Sequence, residues 1–547
     1  MLEILAAVAA ATGAAAYGLH RQASERAERA FQKPVEEVES HDPGIVVAYH
    51  PDVRQIGMNV LESGGNAIDA FVAAVTAENV MAEGASTLTG PLGVLVYTTA
   101  DNRLRYLDAD LNDLMDPSGE WEPKTGPGRS ALAPGAPAAL EALATELGTR
   151  PLFELLRPAI ELAENGFRVN ALMAETIRRR RKVLRRSEFG RRTYLPDGKP
   201  LKPGATIRLP DVGRFLTEFG SQGASYVYKG QWARDFLAYV REHGGLLTEE
   251  DLGNYRVVWR EPHRITFRDH EIYSGSGRSF GALFPLLALK ILEQSDMPAV
   301  PHYTQRAASL ETMLRIAHRV WAEEWLFDYR ILDDKDASAP RLTSDYAAGI
   351  WERIRKEIEP DGRSRPNGTH SYHLMVTDRE GNIVTGTTTI YSDAWGEGMF
   401  VQGIAVAPAG MMTFLRTRPG ERRLSPLSMQ MVFRKGRPVF CSGTISDSLL
   451  EAAFQLLTNC LVHKVPVSQI TSTPRFGTYP DERHNYLDPR VPAGVVKELE
   501  RKGFRFRRRG VVDTGLGAVI ALGERDVIGS LLPLPYLDSP FVVPPAR

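Results

Sequence analysis

Residues 368–396 read Gly-Thr-His-Ser-Tyr-His-Leu-Met-Val-Thr-Asp-Arg-Glu-Gly-Asn-Ile-Val-Thr-Gly-Thr-Thr-Thr-Ile-Tyr-Ser-Asp-Ala-Trp-Gly. Two runs rich in Thr, Val, Ile and Tyr flank the polar segment Asp378-Arg379-Glu380-Gly381-Asn382, the pattern of a β-hairpin closed by a turn. Ser371 opens the first run, and Thr385, Thr387, Thr388 and Thr389 lie along the second. A hydroxyl at the mouth of one strand, beside a row of hydroxyls on its neighbour, suits an active site at a sheet edge. The same threonines also suit a surface hairpin built for strand propensity alone.

This stretch resembles the signature of the γ-glutamyltransferases (γ-glutamyltranspeptidases), N-terminal-nucleophile hydrolases whose chain is cut just before a threonine. That motif has a nucleophile, a His two residues on, a Gly-Asn turn ten residues after the nucleophile, and then Thr-x-Thr. Laid without a gap on Gly381-Asn382, the nucleophile falls on Ser371, the His on His373, and Thr-x-Thr on Thr387 and Thr389. This chain departs from the pattern in places. Ser stands for Thr at the nucleophile, Tyr372 and Met375 occupy positions usually small or hydroxylated, and Tyr391 replaces Asn.

The resemblance extends along the chain in family order. Ile45-Val46-Val47-Ala48 reads as a strand, followed by a helix from about Pro51 that ends at Gly64-Gly65, where Asn66-Ala67-Ile68-Asp69-Ala70 opens another. Later landmarks are Pro134-Gly135, the run from Pro158 to Phe167, Leu195-Pro196-Asp197-Gly198, Gly244 to Leu252, Gly436-Arg437-Pro438-Val439 and Pro474-Arg475-Phe476. Together they span roughly 44–530. The resemblance implies an α+β fold, a four-layer αββα sandwich of the N-terminal-nucleophile hydrolase type. It also implies a large-subunit-like segment, 44–370, and a small-subunit-like segment, 371–547, that build one domain and stay associated if the chain is cut.

Composition narrows the partners. A formal net charge of −1 over 547 residues gives no electrostatic case for nucleic acid. Cys441 and Cys460 both lie in apolar segments and read as buried free thiols rather than a disulfide. His370 and His373 are three apart with no third ligand nearby in sequence, so no metal and no cofactor is expected. The basic run Arg178-Arg179-Arg180-Arg181-Lys182 reads as a solvated helix face. Residues 1–43 read as a helical extension. Its apolar run, 4–19, carries Glu3 where a signal peptide wants basic residues, so a packed helix in a cytoplasmic protein is favoured, with export or membrane tethering left open.

A rival motif is Gly277-Arg278-Ser279-Phe280-Gly281, a G-x-S-x-G string after a strand-like segment and before an apolar helix, the context of a nucleophile elbow. The chain-long resemblance points instead to Ser371. In that chemistry the residue attacks its own preceding carbonyl, an ester forms and hydrolyses, and the new α-amine, with a pKa near ~8, acts as base for the hydroxyl on the same residue. Thr389 would orient or hydrogen-bond the nucleophile.

The resemblance leaves the substrate clamp altered. The Arg that holds a γ-glutamyl α-carboxylate falls on Asp110, and the Asp that holds the α-amine falls on Met411-Met412. Of paired serines Ser425 survives while Pro426 replaces the other, and the Gly-Gly oxyanion hole falls on Ser446-Asp447. An aspartate repels a carboxylate, so the expected substrate is a small-molecule amide or related acyl compound without a γ-glutamyl group. A catalytically degenerate, uncut binding or scaffolding subunit is the alternative, and a homo-oligomer stays open.

Overall fold

The computed structural model describes residues 44–116, 126–332, 335–356, 371–409, 417–479, 484–509, 514–523 and 527–531. The strands that build the two main sheets are β1 (Ile45–Val47), β2 (Leu92–Thr98), β3 (Arg103–Ala109), β4 (Val258–Arg260), β5 (His263–Phe267), β6 (His270–Ser274), β7 (Ser371–Thr377), β8 (Ile383–Thr389), β9 (Ser428–Arg434), β10 (Arg437–Ile445), β11 (Leu516–Leu522) and β12 (Val527–Leu531). The first sheet has the order β1-β7-β8-β2-β3-β4 and the second β12-β11-β10-β9-β6-β5. All neighbours pair antiparallel.

The hairpin β7–β8 forms where the sequence expects it. Gly381 takes φ 83° in the turn, a left-handed backbone that favours glycine. Asp378 closes the loop by accepting from Asn382 N at 2.9 Å. Its second oxygen accepts from Ala67 N at 2.8 Å and so caps a helix 311 positions away. Around the hairpin stand α1 (Pro51–Glu62), α2 (Ala67–Met81), α3 (Leu152–Asn165), α4 (Ala171–Leu184), α5 (Phe280–Leu292) and α6 (Leu449–Leu461). Asn66 starts α2 with a capping box: its side chain accepts from Ile68 N and Asp69 N, and Asp69 accepts from Asn66 N at 3.0 Å.

Alternation along the strands decides what each sheet face covers. A methyl group built on Gly386 would strike Phe71 of α2, so that face of the first sheet carries α2, with α1 and α3 packed beside it. A methyl group on Gly443 of β10 would overlap the His373 ring, so the odd-numbered positions of β7 face the second sheet. On the far side of the second sheet, Gly517 meets Leu456 of α6, and α5 packs alongside. Val94, Leu374, Val376, Ile383 and Val384 are fully buried within this stack.

Two smaller expectations are met with detail added. The Arg178 run lies on α4, where Glu175 pairs with Arg178 at 2.6 Å and Arg179 at 2.7 Å. Arg180 instead turns inward and donates to the carbonyls of Ala394 at 3.0 Å and Gly396 at 2.6 Å. Both cysteines are free as expected, but only Cys441 is buried and Cys460 is half-buried. Among the described residues no helix is long and apolar enough to cross a membrane, and the 1–43 extension lies outside them.

Candidate active site

Ser371 and Thr389 stand opposite each other, the first residue of β7 and the last of β8. Thr387 pairs with His373 in the same register. His373 has no solvent exposure. Its Nδ1 lies 2.7 Å from Thr387 Oγ1 and its Nε2 2.9 Å from Thr385 Oγ1. Burial pushes its pKa down to about 3, so the ring is neutral and donates to one threonine while accepting from the other. The ring is thus held between two threonine hydroxyls at the contact between the two sheets.

Asp110, Ser425, Ser446 and Asp447 come to the same end of the sheets. Gly529 of β12, level with Cys441 through Ile520, faces Ile45 and Val47, which are level with Thr377 and Met375. Gly443 faces His373. β10 therefore runs opposite to β7 across the interface, and its end at Ile445 comes down near Ser371. Ser446 and Asp447 follow there, just before α6, with Ser446 in the left-handed region at φ 78°. Gly93, paired with Thr387, faces Leu427 and Met429, which brings Ser425 to this end as well. Leu92 links Thr388 to Ala109, so Asp110 is the next residue out on the neighbouring strand.

Asp110 is buried, and its carboxylate is fully engaged. Tyr391 OH donates to Oδ2 at 2.5 Å, Leu111 N donates to Oδ1 at 2.8 Å, and the Ser425 hydroxyl also bonds to it. Burial is the largest influence and lifts its pKa to about 6, with the Tyr391 and Ser425 hydroxyls pulling the other way. The adjacent Asp108 carries the ion pairs instead, with Arg260 Nε at 2.8 Å and Arg422 Nε at 3.3 Å. Arg422 also donates to the Asp110 carbonyl and stacks over Tyr255 at 5.0 Å, so this guanidinium is held by protein groups.

A model of the gamma-glutamyltranspeptidase family matches residues 54–530. The chain belongs to that family. It is 28% identical to the glutathione hydrolase proenzyme of Bacillus subtilis (strain 168) over 509 residues, covering 85% of each chain. It is also 28% identical to the Acylase ACY 1 proenzyme of Pseudomonas sp. (strain SE83), over 87% of this chain and 89% of that one. The crystal structure of cephalosporin acylase from Bacillus halodurans superposes with a TM-score of 0.80 at 22% identity, over 92% of this chain and 96% of that chain, and shares the α+β fold.

Within this gamma-glutamyltranspeptidase-family chain, Ser279 has a structural task. Its Oγ accepts from Ala282 N at 3.1 Å and donates to Leu427 O at 3.3 Å, capping α5. Its φ of −97° is ordinary, so the G-x-S-x-G string is a helix cap and not a strained elbow. Met411 and Met412 lie outside the described residues, as does His370. Arg422 was missed by sequence reasoning, and Tyr391 was noted only as a departure from the motif. The signal for Arg422 was faint, an Arg-Arg pair three residues before Ser425.

Proposed function

We propose that this chain is an acylase of the family, a self-cleaving amide hydrolase whose nucleophile is the Ser371 hydroxyl and whose substrate is not a γ-glutamyl compound. The observation that carries this reading is the meeting of Ser371, Thr389 and the left-handed Ser446 turn at one end of the packed sheets. The layer order helix, sheet, sheet, helix agrees with an αββα sandwich of the N-terminal-nucleophile type. The strand order supports association of the cut halves, because β7 and β8 from 371–547 lie between β1 and β2 from 44–370.

In maturation, Ser371 Oγ adds to the carbonyl carbon of residue 370, its proton passes to the departing Ser371 nitrogen as the C–N bond breaks, and an ester joins the two segments. Water hydrolyses that ester, leaving a carboxylate at 370 and an α-amine at 371. In turnover the amine takes the Oγ proton as oxygen attacks the substrate amide, then returns it to the leaving nitrogen. Water cleaves the resulting acyl ester with the same amine as base. The backbone N–H groups of Ser446 and Asp447 are assigned to the developing oxyanion, with the Thr389 hydroxyl as side-chain donor.

His373 is assigned as a positioning residue for Thr387 and Thr385. Asp110 argues against a substrate carboxylate, and the acylase named among the relatives shows that the family includes proteins called acylases as well as glutathione hydrolases. The test is a denaturing gel with N-terminal sequencing. Wild type gives two bands, the smaller beginning Ser-Tyr-His, and Ser371→Ala gives one. A wild-type chain that stays at 60.5 kDa after long incubation overturns the reading in favour of an uncut binding subunit.

A further inference from the structure

Cleavage before Ser371 would turn the first residue of β7 into a chain end. Chain ends fray unless something ties them down, yet a nucleophile whose own amine is its base tolerates little misplacement. The residue best placed to tie this end is the next one. Tyr372 points to the opposite face of the sheet from Ser371, toward a buried polar cluster that the chemistry above does not use.

The Tyr372 hydroxyl donates to Glu83 Oε2. Glu83 Oε1 accepts from Asn170 Nδ2 at 2.9 Å and faces His50 Nε2 at 2.8 Å. His50 Nδ1 in turn lies 2.6 Å from Glu78 Oε1. Tyr372, Glu83, His50 and Glu78 are all buried, and the Tyr372 ring packs against His50 at 5.3 Å and edge-on to Tyr49 at 5.6 Å. With a carboxylate oxygen against each ring nitrogen, both contacts need a proton between their atoms. The cluster therefore holds an imidazolium between two carboxylates, or the equivalent arrangement with one proton moved onto Glu78.

Burial works against charge on His50, but the two glutamates outweigh it and hold its pKa well above the usual range. Burial raises Tyr372 well above an ordinary phenol, so it stays a donor. Glu83 accepts three hydrogen bonds while its own backbone sits in the left-handed region at φ 45°. A buried carboxylate that accepts three hydrogen bonds is a fixed anchor, not a mobile one.

We propose that Tyr372, Glu83, His50 and Asn170 form a clamp across the cut, which holds the new N-terminus at Ser371 in register for both self-cleavage and turnover. This rests on the proposed cleavage at 370–371. The anchors all lie in 44–370 and the tyrosine in 371–547, so the clamp also fastens the two segments together at the residue next to the nucleophile. Tyr372 acts here as a positioning residue, since its hydroxyl faces away from the reacting atoms.

The test is Tyr372→Phe, read by the self-cleavage rate on a gel and by turnover of p-nitrophenyl acetate by the mature protein. The expected result is a fall in cleavage rate and in kcat of about ten- to a hundredfold with KM unchanged. Tyr97→Phe is the control for loss of a partly buried tyrosine hydroxyl at the opposite end of the sheet, where Tyr97 OH donates to Asn102 at 2.9 Å. It should lower Tm and leave both rates within about twofold. Asn170→Ser keeps the cap on α4, where the Asn170 side chain accepts from Met173 N at 2.7 Å, and removes one Glu83 donor. It should slow both reactions by about three- to tenfold, and it stands in if Tyr372→Phe fails to fold. Clamp variants that are cut and turn over at wild-type rates, or a Tyr97→Phe variant slowed as much as they are, overturn the clamp alone. A wild type that is never cut overturns the proposed function and the clamp with it.

Discussion

The Tyr391 hydroxyl reaches across 281 positions to donate to Asp110 at 2.5 Å. Tyr391 itself sits in the left-handed region at φ 55°, two residues beyond the end of the strand that carries Thr389. The pair fills the end of the sheet where the family resemblance expects an arginine and an asparagine.

Titration of this pair is measurable. Burial raises the Asp110 pKa from an ordinary 3.8 to about 6, so between those values the folded protein holds a proton that the unfolded chain has released. The associated stability is complete below about pH 3.8 and is lost as pH rises through about 6. That displacement amounts to about 3 kcal/mol. Asp110→Asn removes it, so the stability of the variant relative to wild type should climb between pH 4 and 7 in urea unfolding. A difference that stays flat with pH would contradict the buried, titrating carboxylate.

Specificity follows from the same residue. A glutamyl α-carboxylate brought against the Asp110–Tyr391 pair meets an acid and a phenol where a guanidinium would be needed. Each missing charge-assisted contact costs about 1.5–3 kcal/mol, roughly two to four decades for the two ends of the clamp together. γ-Glutamyl p-nitroanilide should therefore show no useful release of p-nitroaniline with mature protein that still turns over p-nitrophenyl acetate. Release at rates comparable to that ester would mean that Asp110 does not stand in the clamp.

Contact between the sheets gives a stability prediction. The His373 ring occupies the space where a side chain on Gly443 would project, so Gly443→Ala forces the two sheets apart or the ring out of its two threonine bonds. Overpacking of this kind costs about 1–3 kcal/mol, and breaking the buried bonds adds to it. Tm should fall sharply and self-cleavage should slow. His373→Ala in the same chain vacates the space, so the double variant should be more stable than the sum of the two single changes. Additive losses would argue that the ring and Gly443 do not compete for one volume.

What was legible in the sequence is local. The hairpin, its Gly381-Asn382 turn, the strand at Ile45 and the helices at Pro51 and Ala67 are written in short-range patterns of propensity, capping and alternation. The helical Arg178 run could be read, but not the inward turn of Arg180 to the 394–396 backbone, because the partner is 214 positions away. The same limit hid the Tyr391–Asp110 bond and the Glu83–Tyr372 clamp, which join residues 281 and 289 apart. Ser279 shows the converse. Its motif fits a nucleophile and a helix cap equally well in one dimension, and only the Leu427 carbonyl and the Ala282 N–H separate them.

Ser446 separates backbone from side chain in the assigned oxyanion site. It holds φ 78°, a conformation that costs a residue with a Cβ about 1 kcal/mol or more, at a position where the resemblance has glycine. If the N–H groups of this turn are what the reaction uses, the hydroxyl is dispensable and the dihedral is not. Ser446→Gly should then keep self-cleavage within about threefold of wild type, about 0.7 kcal/mol in barrier. Ser446→Val, whose branched side chain fits a positive φ poorly, should destabilise by roughly 2 kcal/mol or more and slow cleavage well beyond that. Urea midpoints and a gel time course on the three proteins decide it. A glycine variant as slow as the valine variant would assign the work to the Ser446 hydroxyl and remove the backbone argument.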